Sequence, residues 1–525
     1  MTPATPETPN VPTDAATTEH ESIERANPEA KPRRGIRRRE VLFGGGGIAL
    51  GLAGAFAGIG AANAIARSKS ASSATTSSTP TYTIERFAST MVTAPKLGIW
   101  RQSGAALADG LLFTTPQTDQ FSPAIYDVDG TLIWSHPGGG AGTDFRVQQY
   151  GGKPVLTYWT GTSQYGNGQG HGVILDSSYH PIAHVYARNG LQADLHEFEL
   201  TDAGTALITS YPPVQADLTS IGGTKDGWMF DCRIQEIDVA TNRLLLDWRA
   251  SDHIALTESY VALGTDGGTA PTAYDPFHLN AISADSADTL LLSARHTHTV
   301  YSLDRTSGAI RWRLGGKKSD FAVDADAAFA WQHHARRQSA TEISMFDNHV
   351  NTSKGTSRGL VLTVDESAKT AKLKQEYADK GHVGSAMGST QLLEGGNVLV
   401  GWGTQPYATE FTADGTPVWE ASGLGENCYR VAKSTWVGTP KADPDVATVT
   451  DASGRLHVSA SWNGATEVAS WRVLSGASKD SLTAVTTAPK DGFETTATID
   501  GAAWVQVVAL DAQGTVLGSS AVVAA

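Results

Sequence analysis

The chain has 525 residues, of which 40% are hydrophobic, and a formal net charge of −14 at pH 7. This length has room for one large domain and one or two small ones. The acidic balance, with no stripe of basic and aromatic residues beyond the N-terminus, argues against nucleic acid as a partner.

The first 80 residues are predicted to be a targeting segment followed by a Ser/Thr-rich linker. Residues 1–30 are rich in Thr, Pro and Glu, a composition typical of disorder. Arg38 and Arg39 precede an uncharged Gly- and Ala-rich run that ends at Ala66, which is the pattern of a twin-arginine export signal. The run is also long enough to span a bilayer. We therefore expect an extracellular or cell-surface protein, either cleaved after Ala66 or held by an N-terminal anchor.

Residues 81–438 contain an internal repeat of β-hairpins. Six segments share a strand ending near Asp, a turn and a second strand that often ends in an aromatic: Ala124–Trp134, Val173–Tyr186, Ile234–Trp248, Val300–Trp312, Val361–Tyr377 and Thr409–Trp419. Another hairpin lies between each of these and the next, so two hairpins form a four-stranded unit of roughly 50–65 residues. Six such units predict an all-β fold, a six-bladed β-propeller. An open array of hairpins and a pair of sandwiches are the alternatives.

Residues 439–525 are predicted to form a small β-sandwich. Short alternating runs such as RLHVSASW and WVQVVAL follow a linker rich in Pro and Asp. This pattern is typical of immunoglobulin and fibronectin type III modules. The segment holds no catalytic constellation, so we expect it to act as a spacer or to contact the propeller.

The 2 cysteines of the chain are Cys232 and Cys428. Export would permit a disulfide between them. Their spacing does not show whether they lie close enough to pair. Both the paired and the free state therefore stay open.

Histidines occupy matching points of the repeat. His196, His278 and the pair His333 and His334 lie at or just after the start of successive hairpins. If the hairpins stack around an axis, these side chains converge near one mouth of the central channel. A single histidine at a strand start is more often structural, whereas three in matching register indicate a functional site.

Other polar and aromatic residues fall close to these histidines in the pattern. Tyr211 and Arg295 lie on return strands, as do His296 and the pair Asp347–Asn348. Asn280 is two residues after His278 and shares its side of the strand. Trp159 falls at a similar point of another unit. It either forms an apolar wall of the site or packs within the blade. Imidazoles beside an arginine suit transfer of an anionic group through a histidine intermediate.

These segments resemble a known family, the actinobacterial and fungal branch of the arylsulfotransferases. The similarity spans residues 144–411 and includes QADLHEF, DPFHLNAI, LLLSARHT and FAWQHHARR. The resemblance implies a six-bladed propeller that transfers sulfate from a phenolic sulfate ester to a phenolic acceptor by a ping-pong route. It implies no cofactor, no metal and no nucleotide sulfate donor.

The resemblance also implies a role for individual residues. His333 resembles the histidine that accepts the sulfuryl group, and His196 and His278 resemble its two supporting histidines. Arg295 resembles the arginine that grips the sulfuryl oxygens, and Asn280 resembles an asparagine that helps to bind them. His334 doubles the acceptor segment. We therefore assign His334, Tyr211 and Trp159, with Asn280, to substrate binding.

Two other classes of function stay open at this point. One is a non-catalytic propeller that binds a sulfated or polyanionic ligand. The other is a different propeller enzyme, such as a quinone-dependent dehydrogenase or a lyase. The sequence does not show the regular tryptophan-docking repeats of quinone enzymes. It leaves the natural donor, the natural acceptor and the oligomeric state unassigned.

Overall fold

The computed structural model describes residues 82–118, 122–137, 142–164, 166–349, 356–379 and 381–525. The predicted export signal lies outside these residues. Within them, no helix combines the length and the apolar character needed to cross a membrane.

The described chain is all-β, as predicted, and six of its sheets each contain a four-stranded antiparallel unit. The strands of sheet 1 are Leu111–Pro116, Ala124–Tyr126, Leu132–Ser135 and Cys428–Ser434; those of sheet 2 are Gly142–Tyr150, Lys153–Gln164, Asn167–Leu175 and Pro181–Val185; those of sheet 3 are Phe198–Leu200, Thr205–Ser210, Arg233–Asp238 and Leu244–Arg249. The strands of sheet 4 are Leu279–Ala284, Thr289–Ala294, Thr299–Asp304 and Ile310–Gly315; those of sheet 5 are His333–Ser339, Glu342–Asp347, Arg358–Asp365 and Thr370–Tyr377; those of sheet 6 are Ser389–Leu392, Val398–Gly401, Tyr407–Phe411 and Pro417–Ser422. Sheets 5 and 6 each gain one edge strand, Ala322–Val323 and Gly98–Arg101.

Turn chemistry explains why the hairpins form where the repeat predicts them. In the first hairpin, Asp127 Oδ1 accepts the N–H groups of Asp129 and Thr131 at 3.0 and 2.8 Å. Gly130 completes the turn at φ 83°, a left-handed conformation that favours glycine. Strands with one buried face alternate apolar and polar residues, whereas strands with both faces buried are apolar throughout.

The propeller closes on itself near the C-terminal end of the repeat. Cys428–Ser434 pairs antiparallel with Leu111–Pro116, so a late strand completes the first sheet. The innermost strands of neighbouring sheets contact each other around the ring, from sheet 1 through sheet 6 and back to sheet 1, except between sheets 3 and 4. There the second strand of sheet 3, Thr205–Ser210, contacts the innermost strand of sheet 4, Leu279–Ala284. The starts of these inner strands therefore lie around one axis.

Two insertions depart from the repeat beside the histidine segments. The first, residues 211–232, contains the hairpin Pro213–Ala216 with Gly227–Phe230 and the 3-10 helix Thr219–Ile221. The second, residues 250–277, contains three 3-10 helices: Ala250–Asp252, Leu256–Glu258 and Ala270–Thr272. The two pack together around Leu218, Met229 and Tyr274.

The C-terminal residues form two facing sheets, as the sandwich prediction requires. One sheet contains Asp445–Thr450, Leu456–Ser461 and Glu494–Ile499; the other contains Ser470–Gly476, Thr483–Pro489, Trp504–Leu510, Val516–Ser519 and Val523–Ala524. Their shared core includes Val458, Trp471 and Val507. Tyr179 of sheet 2 donates a hydrogen bond to the Gly464 carbonyl at 2.8 Å, so this module contacts the propeller directly.

A shorter hairpin, Ile84–Arg86 with Thr93–Pro95, precedes the propeller. Cys232 and Cys428 are both buried and free, and they belong to different hydrophobic clusters. The two cysteines therefore form no disulfide in this structure. The boundaries predicted at residues 81, 438 and 439 stay predictions.

Candidate functional site

Three imidazole rings and a phenol converge where the inner strands of sheets 3 and 4 begin. The ring centroids of His196 and His278 are 4.7 Å apart, and those of His278 and His296 are 4.6 Å apart. Tyr211 lies 5.5 Å from His196 and 6.0 Å from His278. The structure therefore brings His196, His278 and Tyr211 together, and their roles stay predictions.

His196 and His278 each bind a carboxylate through Nδ1. Asp194 Oδ1 lies 2.5 Å from Nδ1 of His196, and Asp275 Oδ2 lies 2.5 Å from Nδ1 of His278. A carboxylate at Nδ1 fixes the tautomer and stabilises the protonated ring. Each histidine is thereby arranged to lose and regain a proton at Nε2.

Arg295 is the cation beside these rings. Its Nη1 donates to Nε2 of His296 at 3.0 Å, and its Nη2 donates to the Ser385 carbonyl at 3.3 Å. The guanidinium carbon lies 4.8 Å from the centroid of the Trp331 ring. Nε of Arg295 is buried and has no hydrogen-bond partner among the described residues. An unpaired buried donor is costly, so this N–H is suited to an anionic ligand.

His333 has a different partner from the other two histidines. Its Nδ1 lies 2.7 Å from Oδ1 of Asn348. The amide nitrogen of Asn348 donates to the carbonyls of Gly384 and Met387 at 2.8 and 3.0 Å, which leaves Oδ1 as the group that faces His333. Because Oδ1 only accepts, Nδ1 of His333 carries the proton and Nε2 keeps its lone pair. The Met387 N–H reaches this lone pair at 3.3 Å, a long hydrogen bond.

Burial favours the neutral form of His278 and His333. Burial, followed by the charges of His196 and Arg295, holds the pKa of His278 well below its ordinary value of 6.5. Burial and Arg295 do the same to the pKa of His333. Burial also lowers the pKa of Arg295 itself to about 10, which still leaves it protonated at neutral pH. A neutral nucleophile beside one cation is suited to a negatively charged substrate.

A buried network of charges lies directly behind His196. Glu197, the next residue, is completely buried and accepts hydrogen bonds from Arg146, Arg336 and Arg430 at 2.8–3.0 Å. Burial opposes ionisation of Glu197, but the three guanidinium groups hold its pKa well below the ordinary value. The network joins strands of sheets 1, 2, 3 and 5 and holds the start of the His196 strand in place.

His334 lies outside this cluster. The pairing of its strand shifts between His333 and Arg336, and His334 has a left-handed φ of 55°. Its Nδ1 is 3.2 Å from the Thr390 carbonyl, and it lines a cavity of about 390 Å³ together with Arg336 and Arg430. The bulge thus turns neighbouring histidines towards different surroundings.

Trp159 and Asn280 lie in packed surroundings. Trp159 is buried in the hydrophobic cluster between sheets 2 and 3, and its Nε1 donates to the Ala193 carbonyl at 2.9 Å. Asn280 is completely buried and donates to the Gln332 carbonyl at 2.7 Å. The Oδ1 atom of Asn280 has no hydrogen-bond partner among the described residues. Because Oδ1 only accepts hydrogen bonds, this atom does not bind sulfuryl oxygens, which are acceptors too. Substrate binding by Trp159, Asn280 and His334 stays a prediction.

Sequence reasoning missed the residues that orient the site. Asp194 and Asp275 precede their histidines by two and three residues, in DLH and DPFH. Those short spacings were the available signal. The role of Asn348 depends on a contact between strands of sheet 5, and Trp331 is brought to Arg295 by the fold alone.

One group at the site has a composition that metals bind. Ligand atoms of Asp275, His278 and His296 lie within 4.8 Å of one another. However, Nδ1 of His296 is 2.7 Å from the Asp275 backbone carbonyl, and its Nε2 accepts from Arg295. Both nitrogens of His296 are therefore used within the protein.

Comparison with known families and structures gives one family match. The family model described as Arylsulfotransferase (ASST) matches residues 146–423. No curated protein matches the chain.

Several solved structures are similar at low identity. A protein of unknown function from Bacteroides caccae shares 9% identity at a TM-score of 0.38, covering 62% of this chain and 99% of its own. The β-propeller domain of Cps50 (Swd1) from Myceliophteria thermophila shares 12% identity at a TM-score of 0.30, covering 58% and 95%. The dihydro-heme d1 dehydrogenase NirN shares 12% identity at a TM-score of 0.30, covering 75% and 76%. The all-β fold is shown by the pairing of the strands themselves.

Proposed function

Because the chain belongs to the arylsulfotransferase family, we propose that it moves a sulfuryl group from a phenolic sulfate ester to a phenolic acceptor through a sulfohistidine intermediate. No nucleotide sulfate donor takes part. The observation that carries this proposal is the contact between His333 and Asn348, which leaves a lone pair on Nε2 of a buried, neutral imidazole. That lone pair is the nucleophile.

In the first half of the reaction, Nε2 of His333 attacks the sulfur of the donor. The N–S bond forms as the S–O bond to the phenol breaks, and the electron pair of that bond leaves on the phenolate oxygen. The imidazolium form of His196, paired with Asp194, gives its Nε2 proton to the departing phenolate. His278 with Asp275 is the second group placed for this transfer.

In the second half, the acceptor phenol gives its proton to Nε2 of His196 and its oxygen attacks the sulfur. The electron pair of the N–S bond returns to Nε2 of His333, and the sulfated acceptor leaves. Arg295 stays bound to the sulfuryl oxygens through both halves, because its buried Nε–H has no partner within the described protein.

Trapping of the intermediate tests this proposal. The protein is incubated with 4-nitrophenyl sulfate without acceptor, quenched, and digested for peptide mass spectrometry. We expect a burst of nitrophenolate and a sulfuryl group on His333. The His333→Ala variant should lose the burst, whereas the control His457→Ala, in the C-terminal module, should keep it. Label on another residue, or binding of the ester without a burst, contradicts the proposed chemistry.

We further propose that the protein acts outside the cytoplasm. Arg38 and Arg39, followed by the uncharged run to Ala66, support export in the folded state. The substrates are then small phenolic compounds that reach the protein from its surroundings.

A further inference from the structure

A loop before sheet 6 holds the catalytic side chains through its backbone. Residues 381–388, here called the site segment, contain no strand. Four of its backbone groups bind side chains of the site. The Ser385 carbonyl accepts from Arg295 at 3.3 Å, and the carbonyls of Gly384 and Met387 accept from Asn348 at 2.8 and 3.0 Å. The Met387 N–H donates to His333 at 3.3 Å. The position of the site segment therefore sets the position of the sulfuryl-binding groups.

His382 anchors the site segment to sheet 6. Its ring is only 9% exposed and lies 4.3 Å from the ring of Tyr407 and 5.1 Å from that of Trp402. Nε2 of His382 is 2.9 Å from Oε2 of Glu420, and the same oxygen accepts from the Thr409 hydroxyl at 3.0 Å. The imidazole thus packs against two aromatic rings and is directed at a carboxylate that accepts a second hydrogen bond.

A second carboxylate faces the same nitrogen. Oδ2 of Asp379 is 4.0 Å from Nε2 of His382, while its Oδ1 accepts the N–H of Gly381 at 3.1 Å. One ligand atom from each of Asp379, His382 and Glu420 lies within 4.8 Å of the other two. The Asp379 side chain is 36% exposed, which gives an ion a route from solvent.

We propose that Asp379, His382 and Glu420 bind a divalent transition metal, Zn²⁺ in the first place, and that the bound ion fixes the site segment. One imidazole and two carboxylates are a donor set that Zn²⁺ accepts, with water at the remaining position. An ion pair of His382 needs only the carboxylate of Glu420, at 2.9 Å. A metal ion placed between the three side chains would contact the carboxylates of both Glu420 and Asp379. The Thr409 hydroxyl is placed to orient Glu420, as partners of metal ligands do.

The consequence for sulfate transfer depends on the proposed function, but binding of the ion does not. The protein is freed of metal with EDTA and titrated with Zn²⁺ by calorimetry, and Co²⁺ serves as a spectroscopic substitute. We expect saturable binding of a single ion that His382→Ala abolishes. Glu420→Gln keeps the shape of the side chain and should weaken binding by about 10- to 100-fold. His457→Ala is the matched control, since His457 pairs with the single carboxylate of Asp451 at 3.1 Å.

The kinetic readout is kcat for transfer from 4-nitrophenyl sulfate to phenol. Zn²⁺ should raise kcat of the metal-free protein by roughly 10-fold, as expected when a displaced catalytic group is repositioned. His382→Ala should remove this response. The proposal is overturned if the wild-type protein does not bind Zn²⁺. It is also overturned if binding is lost in His278→Ala but kept in His382→Ala. Binding without a change in kcat overturns the positioning role, and Zn²⁺ binding in a protein with no transfer at all counts against the proposed function only.

Discussion

Replacement of Asn348 is the sharpest test of how the nucleophile is prepared. The Asn348 amide is fixed by two backbone carbonyls, so it accepts the Nδ1 proton of His333 and directs the lone pair to Nε2. In Asn348→Ala both tautomers of His333 become populated. Loss of one hydrogen bond, worth about 1 kcal/mol, lowers the reactive fraction roughly fivefold at most. Misorientation of the ring adds to this, and a shift of about 1 Å can cost 100-fold.

We therefore expect kcat/KM of Asn348→Ala to fall by about 10- to 100-fold while the protein stays folded. The assay is the pre-steady-state burst of nitrophenolate, with folding checked by circular dichroism. Asn348→Asp supplies the second measurement. A carboxylate at this position stabilises the imidazolium and raises the pKa of His333, so activity should fall as the pH is lowered and recover as it is raised.

The wild-type protein should behave differently in the same pH series. Burial and Arg295 hold the pKa of His333 well below 6.5, so the neutral ring persists into mildly acidic solution. The acid limb attributable to His333 should therefore lie below pH 6.5 in the wild type and move to higher pH in Asn348→Asp. Wild-type burst rates in Asn348→Ala, together with unchanged pH dependence in Asn348→Asp, would refute this reasoning.

Four further predictions concern the site, the charge network and the two chain ends. Arg295→Lys keeps the charge but loses the fork, so transfer should slow by about 100-fold in a folded protein; near-normal kinetics would make Arg295 structural. Glu197→Gln leaves buried guanidinium groups without their carboxylate and should lower the free energy of unfolding by about 3–5 kcal/mol in denaturant titrations, against no change if the network is dispensable. A chain ending at Gly438 should keep its activity per folded molecule but melt at a lower temperature, and a folded, inactive protein would place the C-terminal module in the site. Replacement of Arg38 and Arg39 by lysine should retain folded protein in the cytoplasm, which cell fractionation measures; persistent export would exclude the twin-arginine route.

The strands could be predicted because their signals are local. Alternation of apolar residues and turns such as DVDG at Asp127 require only neighbouring residues, and these hairpins form where expected. The insertions at residues 211–232 and 250–277 were not predicted. Their core, around Leu218 and Tyr274, joins two segments that are distant in sequence and carry little periodicity of their own.

The site was predictable in position but not in orientation. Matching repeat points bring His196 and His278 together, since equivalent strands start at equivalent places around the axis. Strand alternation alone could not separate His333 from His334. That separation depends on a bulge with a left-handed residue, which re-aims the side chains and leaves no mark in the alternation.

The partners of the three histidines support the proposal that His333 is the nucleophile and that His196 and His278 assist it. His196 and His278 each have a carboxylate at Nδ1, which fixes the tautomer and the orientation of the ring. An amide oxygen at Nδ1, as at His333, fixes the tautomer without offering that charge. A ring that must attack sulfur has to be neutral, and an amide partner beside Arg295 keeps it so. The residue at Nδ1 therefore distinguishes the proposed nucleophile from the two histidines proposed to assist it.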